Sequence, residues 1–216
     1  SLRLPLDGAT EGRFGRFRRP EISSSTVPKR IIPVASGKGG VGKTTFAVNF
    51  ALALSRFAPT ILVDLDTGTS SVRSSLAAPV TKDLYHFHRK GAQLSECITR
   101  LDPSFDRTGQ YRRFGFVAGP KHFIEEMGNP SAEFRRRLSE AVNALPVDYV
   151  VLDLRAGLDA NVLDFLPYTN SGMLVVTPNL PQATLAASDI VKAILFRTLR
   201  MIFAPGSEVY TLPGLA

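Results

Sequence analysis

The chain is poor in the residues that build covalent or metal-held scaffolds, with one cysteine, Cys97, and three histidines in 216 residues. One thiol cannot form an internal disulfide framework, and no Cys/His cluster stands at zinc-site spacing. His86 and His88, two residues apart beside Phe87, fall on different faces of a helix, which favours packing over metal ligation. No N-terminal apolar segment of signal-peptide type is present, and no run of about 18 apolar residues occurs, so neither a secretory signal nor a membrane span is read. Ser70 and Ser71 have no histidine at a nucleophile-motif spacing, and no internal repeat is detectable. These absences predict a cytoplasmic protein working in a reducing compartment.

What is present is globular in balance. Hydrophobic residues make up 44% and charged residues 21%, enough for one α/β domain with a sizeable core. The formal charge is +7, and the sequence pI is about 9.9. Much of the excess lies in clusters: Arg13, Arg16, Arg18 and Arg19 around Phe17, then Arg112 and Arg113, then Arg135 to Arg137. Two readings stay open, a solvated surface or a patch for nucleic acid or an anionic membrane surface, the latter with peripheral membrane association. Residues 1–28 mix Gly, Pro, Ser and Arg without a hydrophobic period and read as a flexible basic arm. Residues 29–203 then form the folded domain, and 204–216 a short tail without an amphipathic membrane helix.

Five apolar runs have strand character, starting at Arg30, Thr60, Phe114, Asp148 and Met173. Helical stretches separate most of them: Thr44 to about Phe57, Leu84 to Thr99 in broken form, Ser131 to Leu145, Asp159 to Tyr168, and Gln182 to about Met201. Continuous apolar strands alternating with helices predict an α/β fold, a mostly parallel central sheet with helices on both faces. The helix after Thr44 is apolar nearly all round, which predicts burial against the sheet on one side and neighbouring elements on the other. The Arg135 to Arg137 run reads as a mostly solvated helix face.

Gly37-Lys38-Gly39-Gly40-Val41-Gly42-Lys43-Thr44 fits G-x-x-x-x-G-K-[ST] at every fixed position, between a strand-like run and a helix. Glycines allow backbone turns closed to other residues and let amides point inward at phosphates. The following helix adds unpaired N–H groups and a positive dipole end. Lys43 is placed to reach the β- and γ-phosphates, Thr44 to ligate Mg²⁺, and Thr45 to face the α-phosphate region. The motif thus predicts a nucleoside triphosphate with Mg²⁺ and a P-loop NTPase fold, and the family resemblance given below implies that the nucleotide is ATP.

Two acidic positions complete such a site. Asp64 and Asp66, in Val63-Asp64-Leu65-Asp66, sit at the end of the second strand, where open α/β sheets place ligands. Plain capping of the strand end by Asp64 and of the next helix by Asp66 is the alternative. Asp153 follows Tyr149-Val150-Val151-Leu152 and can hold Mg²⁺ through a water.

With Lys38 as a second lysine in the loop, Lys38-Gly39-Gly40-Val41-Gly42-Lys43-Thr44 resembles the MinD/ParA family of deviant Walker A ATPases. The resemblance implies that Lys38 reaches across a nucleotide-sandwiched homodimer to the partner's phosphates. It also implies that Asp66 belongs to switch I, with Thr67 to Ser71 as its loop, and positions water and Mg²⁺. Asp153 to Gly157 resembles switch II, where the Gly157 amide senses the γ-phosphate; Arg155 departs from the small residue or proline common there. Asn161 to Phe165, Leu174 to Pro178 and Phe196 to Arg200 resemble the flagellar-number branch, FlhG or FleN. The function implied is a slow ATPase acting as an ATP-dependent dimerisation switch with a regulatory protein partner. A nucleotide-gated binding module with little hydrolysis, or a DNA-partitioning ATPase using the arginine clusters, stand as alternatives.

Overall fold

A computed structural model describes residues 28–66, 71–121, 130–158, 160–168 and 171–204. Nearly all of the arm, the tail beyond Ala204, and Thr67 to Ser70 of the switch loop lie outside the described residues. Six strands form one sheet: β1 (Arg30–Ala35), β2 (Thr60–Asp64), β3 (Ile98–Thr99), β4 (Phe114–Val117), β5 (Tyr149–Asp153) and β6 (Met173–Leu174). Their order is β3-β4-β2-β5-β1-β6, parallel except for β3, which runs antiparallel to β4. The five predicted strands are therefore the five parallel ones.

Strand periodicity sorts the core into two layers. In β2, Ile61 and Val63 belong to one apolar cluster and Leu62 to the other; in β5, Val150 and Leu152 separate from Val151 in the same way. Helices α1 (Lys43–Ser55) and α2 (Ser71–Leu76) cover one face through Ala47, Val48, Ala51, Leu52, Val72 and Leu76. The other face is covered by α3 (Leu84–Arg89), α4 (Ala132–Ala144), α5 (Ala160–Tyr168) and α6 (Pro181–Ile202). In α4 the apolar spacing Phe134, Leu138, Val142 places one stripe on the sheet, and the Ser131 side chain caps its start by accepting from Phe134 N at 3.1 Å.

Three local expectations change. The stretch Leu84 to Thr99 is not one broken helix: α3 stops before Gly91, whose φ of +69° breaks it, and a 3-10 turn, Leu94–Cys97, leads into β3. There Ile98 and Thr99 pair with Val117 and Phe116, an edge pairing too short to show as a periodic run. Around α1 the all-round burial is incomplete, because Phe46 stays 40% exposed and stacks on Phe50 with ring centroids 5.6 Å apart. The Arg135–Arg137 run is only partly solvated. Arg136 pairs with Glu133 and Glu140 on the surface, whereas Arg135 Nε holds Asp164 of α5 at 2.5 Å and Arg137 lies over the Phe87 ring at 5.4 Å.

His86 and His88 have structural company. His86 Nδ1 lies 2.9 Å from Asp83 Oδ1, in the cap of α3, and the His88 ring meets Phe134 edge-on at 4.7 Å. Asp83 is a hub, accepting also from Tyr85 N, Lys121 N and Arg73 Nη2.

Phe116, fully buried in β4 beside Phe114, carries much of the layer beneath α1. Phe116→Ala is expected to lower unfolding stability by about 3–5 kcal/mol, measured by urea melts with an unchanged m-value.

Candidate functional site

The C-terminal ends of β1, β2 and β5 meet at one edge of the sheet. Register pairs Val34 with Asp153 and Asp64 with Asp153, so two carboxylates from adjacent strands stand side by side next to the loop that leaves β1. β5 lies between β1 and β2, so the chain leaving β1 crosses over a neighbour before returning as β2. Crevices at strand ends of this kind are where open α/β sheets take ligands.

The loop from Ser36 to Gly42 turns with Gly40 at φ +80° and Gly42 at φ +88°, conformations closed to most side chains. A Cβ at Gly39, Gly40 or Gly42 would meet nothing within 4 Å, so the loop's open side is bare backbone. Helix α1 begins at Lys43 directly behind it, and no side chain caps its first N–H groups. Bare amides, a helix start and glycine turns make an anion cradle.

Lys43 is 6% exposed, and its ammonium lies 2.6 Å from Asp153 Oδ1, 3.7 Å from Asp66 Oδ2 and 3.5 Å from Thr44 Oγ1. Thus Lys43, Thr44, Asp66 and Asp153 are brought together at the strand ends. Asp64 joins them from beneath: its Oδ1 accepts from Asp66 N at 3.1 Å, while Oδ2 is buried with no hydrogen-bond partner. Asp153 Oδ2 is likewise buried and unpartnered. Two orphaned carboxylate oxygens beside a lysine and a threonine hydroxyl are a donor set suited to a hard cation and its waters.

Burial first, and then the neighbouring Asp153 charge, push the Asp64 carboxyl up to about 7. Asp153 is also raised by burial, an effect opposed by Lys43 and the Thr44 hydroxyl. Within one small volume, then, the site balances a buried ammonium against carboxyls that resist ionising.

Three further sequence-predicted residues make contacts within the chain. Lys38 is exposed and its Nζ donates to Gln182 Oε1 on the first turn of α6. The Gly157 amide, at φ +103°, donates to Ser36 O at 2.8 Å, so the segment after β5 is tied to the loop. Thr45 is exposed, and its carbonyl accepts from the side-chain amide of Asn49.

Other supports carried no sequence signal. Gly37 is pressed on α6, where an added Cβ would stand 2.4 Å from the Ala186 carbonyl carbon. Thr177 Oγ1 donates to Val41 O at 3.2 Å, joining the segment after β6 to the loop. Gly119 leaves room for Asp64, since a Cβ there would sit 3.3 Å from the Asp64 carboxyl.

Asp64 yields a pH signature. Its folded-state value lies above the ordinary value of 3.8, so in the interval between them the unfolded chain has released the proton and the folded chain has kept it. Stability is therefore lost as pH rises from about 4 to about 7 and levels off above that. Thermal melts without nucleotide or divalent metal are expected to show this fall in the wild type and a flatter profile in Asp64→Asn.

Comparisons with known proteins agree with this geometry. A ParA family model, described as NUBPL iron-transfer P-loop NTPase, matches residues 27–202. The chloroplastic septum site-determining protein MinD homolog of Arabidopsis thaliana is 28% identical over 199 residues, covering 86% of this chain and 56% of that protein. The flagellum site-determining protein YlxH of Helicobacter pylori is 26% identical over 171 residues, covering 76% and 53% respectively. The chain thus spans about half the length of these curated relatives. In fold it is similar to the septum site-determining protein MinD of Pyrococcus horikoshii complexed with Mg-ADP, with a TM-score of 0.63 and 23% identity over 79% of this chain and 66% of that one. With the loop, the strand-end carboxylates and a family match across most of its length, the chain belongs to the ParA/MinD family of P-loop NTPases.

Proposed function

We propose that this chain binds ATP and Mg²⁺ at the Ser36–Thr45 loop and hydrolyses ATP slowly, as a nucleotide-controlled dimerisation switch for spatial regulation of the kind its site-determining relatives are named for. The observation that carries this reading is the buried Lys43–Asp153 pair at 2.6 Å, with Asp66 and Thr44 around it, at the mouth of a glycine cradle. Bound Mg·ATP supplies the phosphoanhydride that is cleaved and a divalent charge that offsets its oxygens. The chain's own residues do the rest. Amides of Gly39 to Lys43 would hold phosphate oxygens, Lys43 would exchange Asp153 for phosphate, and Thr44 and Asp153 would hold Mg²⁺. Asp66 would take part in the metal site and orient the attacking water.

Release of Asp153 by Lys43 is what couples phosphate binding to metal binding. The same carboxylate that neutralises the lysine in the ligand-free arrangement becomes available when the lysine turns to an anion. The Gly157–Ser36 latch and the Lys38–Gln182 contact are the two bonds that the switch must exchange if Gly157 is to sense the γ-phosphate and Lys38 is to reach a second subunit.

The YlxH relationship favours flagellar placement as the setting, as do the segments around Asn161 and Leu174.

Two outcomes are expected. Lys43→Ala, with folding checked by circular dichroism, should lose ATP turnover by about a hundredfold or more; multiple-turnover rates equal to wild type would refute the site. Light scattering should show the mass doubling with Mg·ATP but not with ADP, and Lys38→Ala should remain monomeric; an unchanged wild-type mass with ATP demonstrably bound would leave a binding module rather than a dimer switch.

A further inference from the structure

The opposite pole of the sheet carries a feature that the nucleotide site does not use. β2 and β4 start there, at the Thr60–Phe114 pair, while the Asp64–Asp153 pair marks the other end. The connection from β3 to β4 folds over the strand starts and encloses an open cavity of about 610 Å³, lined by Arg100, Arg107 and Arg112 together with Leu101, Tyr111 and the loop backbone. None of these three arginines has an ion-pair partner among the described residues.

The two carboxylates of this loop accept from backbone amides of the loop itself. Asp106 accepts from the amides of Gln110 and Tyr111 at 2.9 and 2.8 Å, and Asp102 accepts from Ser104 N at 2.8 Å. Asp106 also lines the cavity, so its charge offsets part of the guanidinium charge, and three arginines against one carboxylate leave the lining net positive. Arg112 is folded back over Gly109, which lies at φ +65°, a conformation that favours glycine; a Cβ there would stand 2.5 Å from the Arg112 Nε and push the guanidinium aside. Arg100 is held by a 3.0 Å bond from Nη1 to Phe114 O. One wall is apolar and already supported, since Leu101 and Tyr111 pack on the core layer beneath α1.

We propose that this cavity is a second ligand site, taking a phosphate monoester carried on a flat apolar body. Guanidinium forks match phosphate oxygens in bidentate geometry, and the Tyr111–Leu101 wall faces the ring. A cavity of several hundred Å³ suits a small ligand rather than a nucleic-acid strand. Its distance from the P-loop, the length of the sheet, makes it a place where a metabolite can bind together with the nucleotide.

The probe is phenyl phosphate, titrated into the full 216-residue chain and followed by calorimetry and by the arginine Nε–Hε resonances in NMR. Saturable binding that moves the Arg107 and Arg112 signals is expected, with affinity about tenfold or more above that of inorganic phosphate. Arg107→Ala/Arg112→Ala should abolish it, and the single Arg107→Ala, an exposed change that leaves the loop's Asp106 bonds in place, should weaken it. Lys43→Ala should bind the probe as the wild type does. Loss of binding in Lys43→Ala with retention in the double variant would place the probe in the P-loop and overturn the proposal. So would affinity for inorganic phosphate equal to that for the probe, or absence of saturation by phenyl phosphate where a single-stranded oligonucleotide binds the same arginines.

Discussion

A buried ammonium facing a buried carboxylate is the constraint around which the functional edge of this molecule is arranged. Lys43 and Asp153 are 6% and 0% exposed, and each would be costly to bury alone. Their pairing requires β1 and β5 to be neighbours with ends in register, and it requires α1 to begin immediately after Gly42 so that the lysine points back over the strand ends. Removing one partner of a buried pair typically costs about 3–5 kcal/mol, because the other is left uncompensated. The pair therefore holds the strand ends and the start of α1 together.

Asp64 shows the other side of that constraint. Held in the sheet next to Asp153, with one oxygen capping Asp66 N and one without a partner, its carboxyl resists ionisation. Gly119 at the end of β4 provides the room it occupies. The site thus contains one carboxylate paired with a cation and one carboxyl held near neutrality, set apart by environment rather than by residue type.

The loop itself is clamped from α6. Gly37 packs on the Ala186–Ala187 backbone, Lys38 reaches Gln182, and Thr177 holds Val41. Helix α6 is in turn tied by Arg197 to Asp164 of α5, which Arg135 of α4 also holds. Since α5 follows the segment after β5 and Gly157 ties that segment to Ser36, loop, segment and both helices form one connected body of contacts. Along the outer face of α6, Leu185, Val191, Leu195 and Phe196 stand more than half exposed.

Local chemistry was legible in the sequence wherever a signal is carried by neighbouring residues. The glycine loop, the strand before it and the helix after it are read from one contiguous stretch, because turn geometry, amide direction and helix start are all short-range. Asp66 and Asp153 were legible as strand-end carboxylates because apolar runs mark where the strands finish. Strand order, the two-residue β3, the Asp83 hub and the raised Asp64 carboxyl were not, since each depends on residues far apart in the chain being adjacent across the sheet. The same holds for Lys38: its presence is a sequence fact, but its contact with Gln182, 144 positions away, exists only because α6 packs on the loop. Sequence determined which groups are available to the site, through local propensity and periodicity. Tertiary structure decided which of them share a dry volume, and burial there sets their charge.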